Sequence, residues 1–158
     1  MATITIPKEI LERIRREARD NNMALEEYIV ELLTRGLDPE NKAREYILAS
    51  EKLFSQAKEE LGKGELRQAA EKLWGSCALA IKAYVLRRYR KRIASHGELW
   101  NYKDKVAHEL GEWVFNAWAH GNNMHTCFYE GWCTVRDVEI AIRYIGRLVM
   151  EVKKIISS

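Results

Sequence analysis

The chain contains little proline and no long hydrophobic run. Its two prolines are Pro7 and Pro39, so no proline interrupts helices in the longer C-terminal part. No apolar run approaches the roughly 18 residues that a membrane helix needs, and the alternating N-terminal segment lacks the apolar block of a signal peptide. We therefore expect a cytoplasmic protein that has no membrane partner.

Cysteine is also scarce, with only Cys77, Cys127 and Cys133. An odd number of cysteines in a chain without an export signal indicates a reduced cytosolic setting. His120 and His125 stand near the last two cysteines, but their spacing matches no familiar zinc finger and lacks a Cys-x-x-Cys pair. The sequence therefore predicts no metal and no other cofactor.

The charge is nearly balanced overall but differs between the two ends of the chain. Residues 1–38 hold six Lys/Arg and eight Asp/Glu, a net charge of −2, so the overall +3 leaves +5 for residues 39–158. A protein that meets nucleic acid through charge uses its basic part. The larger part is therefore the better candidate for such contact.

Residues 1–38 have the pattern of one strand followed by two helices. Residues 2–6 alternate small or polar side chains with apolar ones, which is the period of a half-buried strand. Apolar side chains at helical spacing predict one helix from about Pro7 to Arg19 and a second from about Leu25 to Arg35. The predicted inward positions of the second helix are Leu25, Tyr28, Ile29, Leu32 and Leu33.

The segments TITIP, ILERIRREA and LEEYIVELL together resemble a ribbon–helix–helix domain. The resemblance implies a homodimer in which two strands pair, with Thr3 and Thr5 facing outward toward the DNA major groove. Two other interpretations stay open. The acidic charge, with Glu26 and Glu27 at a helix start where they repel phosphate, favours dimerisation without DNA. The segment could also fold back on its own chain.

The segment from Glu65 to Arg92 is predicted to form one long helix around which residues 39–158 pack. It contains no proline and a single glycine, and it ends with five cations in six residues. Its apolar side chains recur every three or four positions, which is typical of a helix face turned to a core. That stripe consists of Leu66, Ala69, Leu73, Cys77, Ala80 and Tyr84.

Three more helices are predicted around it, which gives a mainly α fold: a four-helix bundle in residues 39–158 behind the strand–helix–helix segment 1–38. A helix over residues 40–61 and the turn 62–64 should form an antiparallel hairpin with the long helix. Residues 94–97 are predicted as a loop and 99–120 as a helix that bends at Gly121. A short helical stretch over 124–130 precedes the last helix, over 134–156.

The hairpin sequence A-x-x-L-G-K-G-E-L-R-Q-A-A-E-K-L-W-G-S-C-A-L-A-I-K-A resembles the first two helices of a HEPN domain. The segments Ser95-His96-Gly97 and His125-x-x-Phe128-Tyr129-Glu130 resemble the archaeal PaREP family. The resemblance covers roughly residues 42–155. It implies a protein that binds or cleaves RNA, of the kind found in toxin–antitoxin or mobile-element defence systems.

The HEPN resemblance implies metal-independent RNA cleavage, in which an Arg stabilises the phosphate and a His moves a proton. The usual Arg–His pair near the last helix is missing, which leaves enzymatic activity open. The spacing fits Arg90 and His96 instead, and His125 and Tyr129 share one helix face. The candidate catalytic residues are His96, His125, Tyr129, Glu130 and Arg90.

The cations that end the long helix are candidates for contact with an RNA backbone: Arg87, Arg88, Lys91 and Arg92. A solvated helix end that favours the helix dipole is the simpler interpretation of the same run. Likewise, His125 and Tyr129 could have a purely structural role, as half-buried polar groups that hold an irregular segment in place. The sequence therefore leaves two alternatives to RNA as partner: a non-enzymatic homodimer, and a bundle that binds a small anion such as a nucleotide.

Overall fold

The computed structural model describes residues 2–158, and within them the fold is all helical. This confirms the mainly α prediction. Seven helices follow one another: α1 (Lys8–Asp20), α2 (Leu25–Leu33), α3 (Pro39–Gly62), α4 (Leu66–Tyr89), α5 (His96–Leu110), α6 (Trp113–Glu130) and α7 (Val135–Ser157). None of them is long and apolar enough to cross a bilayer, within the part of the chain that the structure describes.

Helix α4 lies at the centre of the molecule, and almost every side chain from Ala69 to Leu86 is buried. It packs antiparallel to α3, as the short turn 63–65 requires, and it also contacts α2, α5, α6 and α7. A helix that is buried on all sides shows no narrow apolar stripe. This explains why small residues and Ser76 lie in the core beside the predicted stripe.

Residues 39–158 form five helices, so the predicted count of four is wrong. The predicted helix over 99–120 ends at Leu110, because Gly111 has a φ of +125° and a Cβ there would lie 2.8 Å from the Trp113 ring. Gly121 does not bend a helix and lies inside α6. There its missing side chain makes room for Cys77, whose Sγ would be 2.8 Å from a Cβ.

The predicted end of the long helix is three residues too late. Helix α4 ends at Tyr89, and Arg90 adopts the left-handed conformation with a φ of 53°. Ser95-His96-Gly97 was expected in a loop, but Ser95 is the N-cap of α5 and its hydroxyl accepts a hydrogen bond from the Glu98 amide at 3.2 Å. His96 is therefore held in the first turn of a helix.

The N-terminal strand prediction is wrong for the single chain. Residues 2–6 form neither strand nor helix in the structure, and Ile4 is 83% exposed. The physical reason is that a strand needs a second backbone to pair with, and none is available within the chain. Helix α2 instead packs on α4 through its polar face, with Glu27 and Glu31 buried.

Two of the three cysteines are paired, which corrects the expectation of a fully reduced chain. Cys127, near the end of α6, forms a disulfide with Cys133, and their Cα atoms are 5.4 Å apart. Gly131, with a φ of 75°, turns the chain back between them. Cys77 is a free thiol that is buried in the core, and burial raises its pKa.

Candidate functional site

Two places in the fold gather the residues that the sequence singled out. The first is a pair of imidazoles at the junction of α4, α5 and α6. His96 and His125 have ring centroids 6.5 Å apart. Trp74 of α4 contacts both rings, at 5.8 Å from His96 and 5.0 Å from His125. The two polar segments of the predicted site therefore meet in space.

Both imidazoles are neutral at pH 7. Trp100 Nε1 donates a hydrogen bond to His96 Nε2 at 2.9 Å, which leaves the proton on Nδ1. Burial lowers the pKa of His96. Burial, and after it the neighbouring His96, lower the pKa of His125 to about 4. The pair can accept protons, but it carries no positive charge that would attract a phosphate.

Of the other predicted catalytic residues, one lies beside the imidazole pair and two lie elsewhere. Tyr129 lies beside His125, with ring centroids 5.2 Å apart, and the Arg19 guanidinium lies 5.7 Å from the Tyr129 ring. Glu130 is exposed at the last position of α6. Arg90 lines a different cavity. The cation beside Tyr129 therefore comes from α1, which the sequence did not indicate.

The turn between α1 and α2 lies against Trp74 and His96 of this site. Trp74 Nε1 donates a hydrogen bond to the carbonyl of Asn22 at 3.1 Å. Asn22 and Met23 also line a small cavity beside His96 of about 10 Å³. Such a volume holds about one water molecule. A phosphodiester therefore has no room here while the turn is in place.

A buried ion cluster, the Lys82 triad, lies next to this cavity. Lys82 Nζ is 2.8 Å from Glu27 Oε2 and 3.0 Å from Glu31 Oε1, and all three side chains are nearly inaccessible. Burial alone would lower the pKa of Lys82, but the two carboxylates outweigh it and raise the pKa above its ordinary value. The triad therefore joins α2 to α4 through two ion pairs.

The second place is the basic cavity, a concave space of about 370 Å³ between the α2–α3 connection and the C-terminal end of α4. Four cations line it, and they come from three separate chain segments. Apolar side chains form the remaining wall. Its lining residues are Arg35, Gly36, Leu37, Pro39, Lys42, Leu86, Arg90 and Arg92.

Lys42 is the buried cation of this lining, at 4% exposure. Its Nζ lies 5.5 Å from the centre of the Tyr46 ring, and within residues 2–158 it has no ion-pair partner. The nearby Glu31 forms its ion pairs with Lys82 and Arg92 instead, at 3.0 and 3.6 Å. Burial lowers the pKa of Lys42. An anion in the cavity would supply the negative partner that the Lys42 ammonium lacks.

The predicted basic run contributes only in part to this cavity. Arg92 and Arg90 line it, whereas Arg88 lies 3.7 Å from Glu109 and Lys91 lies 3.3 Å from Glu98. The remaining predicted contact residues are exposed at other positions: Arg87, Thr3 and Thr5.

Sequence reasoning missed Lys42 and Arg35. A signal existed for Lys42, because it falls on the buried face of α3, four residues before Tyr46. A single cation on an inward face is unusual and indicates a special environment. No comparable pattern marks Arg35, which reaches the cavity only through the turn of the α2–α3 connection. No group of three or more metal-ligating side chains occurs among residues 2–158.

Comparison with known proteins gives one match. The sequence model of the archaeal PaREP1/PaREP8 family matches residues 45–149, from early α3 into α7. No curated protein and no solved structure matches the chain significantly. The matched range includes His96, His125, Arg90 and Arg92, whereas α1, α2 and Lys42 lie before it.

Proposed function

The chain belongs to the archaeal PaREP1/PaREP8 family, and we propose that it is a nucleic-acid-associated protein that binds RNA at the basic cavity. The observation that carries this proposal is Lys42, a residue with little exposed surface and no ion-pair partner within residues 2–158, which lines the basic cavity with Arg35, Arg90 and Arg92. A charge that is partly withdrawn from water and has no partner is costly in free energy. A bound phosphate would remove that cost, so the arrangement favours an anion as the ligand.

Single-stranded RNA fits this cavity better than duplex DNA does. A duplex is read by an element that enters a groove, whereas a single strand can bend its backbone into a concave basic surface. The basic cavity is concave, and three of its four cations belong to the part of the chain with a net charge of +5. The N-terminal segment has a net charge of −2, which disfavours contact with a DNA backbone.

The proposed activity is binding without cleavage. Cleavage at His96 and His125 would need a phosphate to reach both imidazoles, and the small cavity beside His96, which the α1–α2 turn lines, has no room for one. The predicted cation, Arg90, belongs to the other cavity, and the cation near Tyr129 is Arg19. The geometry therefore supports a structural role for the imidazole pair, which packs on Trp74 as part of an aromatic cluster.

Fluorescence anisotropy with a labelled single-stranded RNA tests the RNA proposal. We expect Lys42→Met and Arg92→Gln each to weaken binding about tenfold, because a charge-assisted contact to phosphate contributes roughly 1.5–3 kcal/mol. The matched control is Arg143→Gln, since Arg143 is an exposed cation on α7, and its affinity should stay near the wild-type value. Equal affinity in all four proteins would contradict the proposal.

The second part of the proposal is that two copies associate through their N-terminal segments. Helix α2 buries its glutamates on α4 and leaves its predicted inward face only partly covered, with Leu33 78% exposed. Ile4 and Ile10, at 83% and 49%, expose further apolar surface from the same segment. A second copy of this segment would cover that surface and would give residues 2–6 a strand to pair with.

Sedimentation of the intact chain measures this association. We expect a wild-type dimer, and we expect Ile4→Asp combined with Leu33→Asp to give a folded monomer, because both side chains are exposed in the single chain. The control is Met150→Asp, which places the same charge on an exposed apolar position of α7 at 60% exposure. A wild-type monomer would rule out this association.

A further inference from the structure

We infer that the basic cavity recognises the terminal phosphate of an RNA strand, a phosphomonoester, in preference to an internal phosphodiester. This inference rests on the proposed function and names the group that the same site selects. It depends on three features of the cavity: the amount of charge, the separate chain segments that supply the cations, and the apolar wall.

The cavity holds more positive charge than a phosphodiester can neutralise. Four cations line it, and the carboxylate in contact with the lining is Glu31, which lies 3.6 Å from Arg92 and is already paired with Lys82. A phosphodiester carries one negative charge, whereas a terminal phosphate carries about 1.5 to 2 at neutral pH. The charge balance therefore favours the terminal group.

The cations that line the cavity come from separate chain segments and not from one helix face. Arg35 comes from the α2–α3 connection, Lys42 from the second turn of α3, and Arg90 and Arg92 from the end of α4. An internal phosphate must leave an open path for the strand on both sides. A cavity with cations from three chain segments is better suited to receive a strand end, with Arg side chains binding phosphate oxygens in a fork and Lys42 as a point charge.

The apolar part of the lining accommodates the nucleotide attached to that phosphate. Leu37, Pro39 and Leu86 line the cavity beside the cations. The volume of about 370 Å³ lies at the lower end of the usual range for small-molecule sites, roughly 300–1,000 Å³. The space therefore suits one nucleotide and leaves the rest of the strand outside.

The test compares three internally labelled RNAs of one sequence: one with a 5′-phosphate, one with a 3′-phosphate and one with hydroxyls at both ends. We expect one phosphorylated RNA to bind the wild-type protein about tenfold more tightly than the hydroxyl RNA, as a charge-assisted contact allows. Lys42→Met should remove this preference, and the control Arg143→Gln should keep it. Which phosphorylated RNA binds best identifies the end that is recognised.

The outcomes separate the two claims. Equal binding of all three RNAs would overturn the terminal-phosphate inference and leave RNA binding itself intact. No binding of any RNA would overturn the proposed function. In that case adenosine 5′-monophosphate, with adenosine as the uncharged control, tests whether the cavity still takes a phosphomonoester. Failure of the nucleotide to raise the wild-type melting temperature would overturn the inference as well.

Discussion

Two buried lysines in this protein have opposite surroundings. Lys82 is 3% exposed and Lys42 is 4% exposed, so both residues have little exposed surface, but only Lys42 lines the basic cavity. Lys82 has two carboxylates within 3.0 Å, whereas Lys42 has no ion-pair partner within residues 2–158 and faces a cavity. The pKa of Lys82 is raised and that of Lys42 is lowered.

The difference separates a charge that holds the fold together from a charge that is kept for a ligand. In the Lys82 triad, two carboxylates pair with the ammonium and fix α2 on α4. In the proposed function, the charge of Lys42 is balanced by an anion that occupies the basic cavity. Burial alone therefore does not identify a functional cation, and the distance to the nearest carboxylate distinguishes the two lysines.

The largest expected effect is on the stability of the Lys82 triad. Lys82→Met leaves Glu27 buried without an ion-pair partner and Glu31 with only Arg92 at 3.6 Å, so we expect the free energy of unfolding to fall by about 3–5 kcal/mol. Urea unfolding measures the loss. The control Lys153→Met removes an exposed ion pair, whose Nζ lies 2.6 Å from Glu51, and should cost less than about 1 kcal/mol. A similar small cost for both variants would show that the triad does not hold α2 in place.

Glu31 connects the two lysines, so its substitution should affect both regions in opposite directions. Glu31→Gln removes one partner of Lys82 while Glu27 remains, and we expect the unfolding free energy to fall by about 1–3 kcal/mol. The same change frees Arg92 from its carboxylate and should strengthen RNA binding. Urea unfolding and RNA titration of one preparation measure the two effects. Weaker RNA binding by this variant would contradict the assignment of Arg92 to the ligand.

A smaller effect on stability is expected at the imidazole pair, where a change of pH, and not a substitution, alters the charge. The folded-state pKa of His125 is about 4, below the ordinary 6.5, so the unfolded chain binds a proton that the folded chain does not. Stability due to this group is complete above pH 6.5 and is lost as the pH falls toward 4. Allowing for partial exposure, we expect the wild type to lose about 2 kcal/mol more than His125→Gln between pH 7.5 and 4.5. If urea unfolding shows equal losses of stability for the two proteins, His125 is exposed to solvent in the folded chain.

The sequence was sufficient for the elements whose signals are local. The α3–α4 hairpin follows from the turn at residues 62–64, and α7 begins as predicted because Thr134 and Asp137 cap each other. The end of α5 at Gly111 and the uninterrupted α6 through Gly121 were not predictable, because each depends on a contact with a distant or bulky side chain. The buried face of α2 was also missed, since its glutamates are buried only in the presence of Lys82.

The candidate site shows the same division. The resemblance to the PaREP family brought Ser95-His96-Gly97 and the His125–Glu130 segment into one hypothesis, and the structure places His96 and His125 side by side. Asn22 lies against Trp74 and lines the cavity beside His96, and the basic cavity depends on Lys42 and Arg35. Periodicity marks Lys42 as a cation on the buried face of α3, but these residues come together only in the tertiary fold, which the single sequence does not show.

The unfolding free energy of Lys42→Met, measured together with its RNA affinity, tests most directly whether the two lysines differ as described. If the charge of Lys42 serves a ligand, this variant should be as stable as the wild type or more stable, because an unpaired buried charge is removed, while its RNA affinity falls about tenfold. A loss of stability close to that of Lys82→Met, with RNA affinity unchanged, would show that both lysines are structural and would contradict the account.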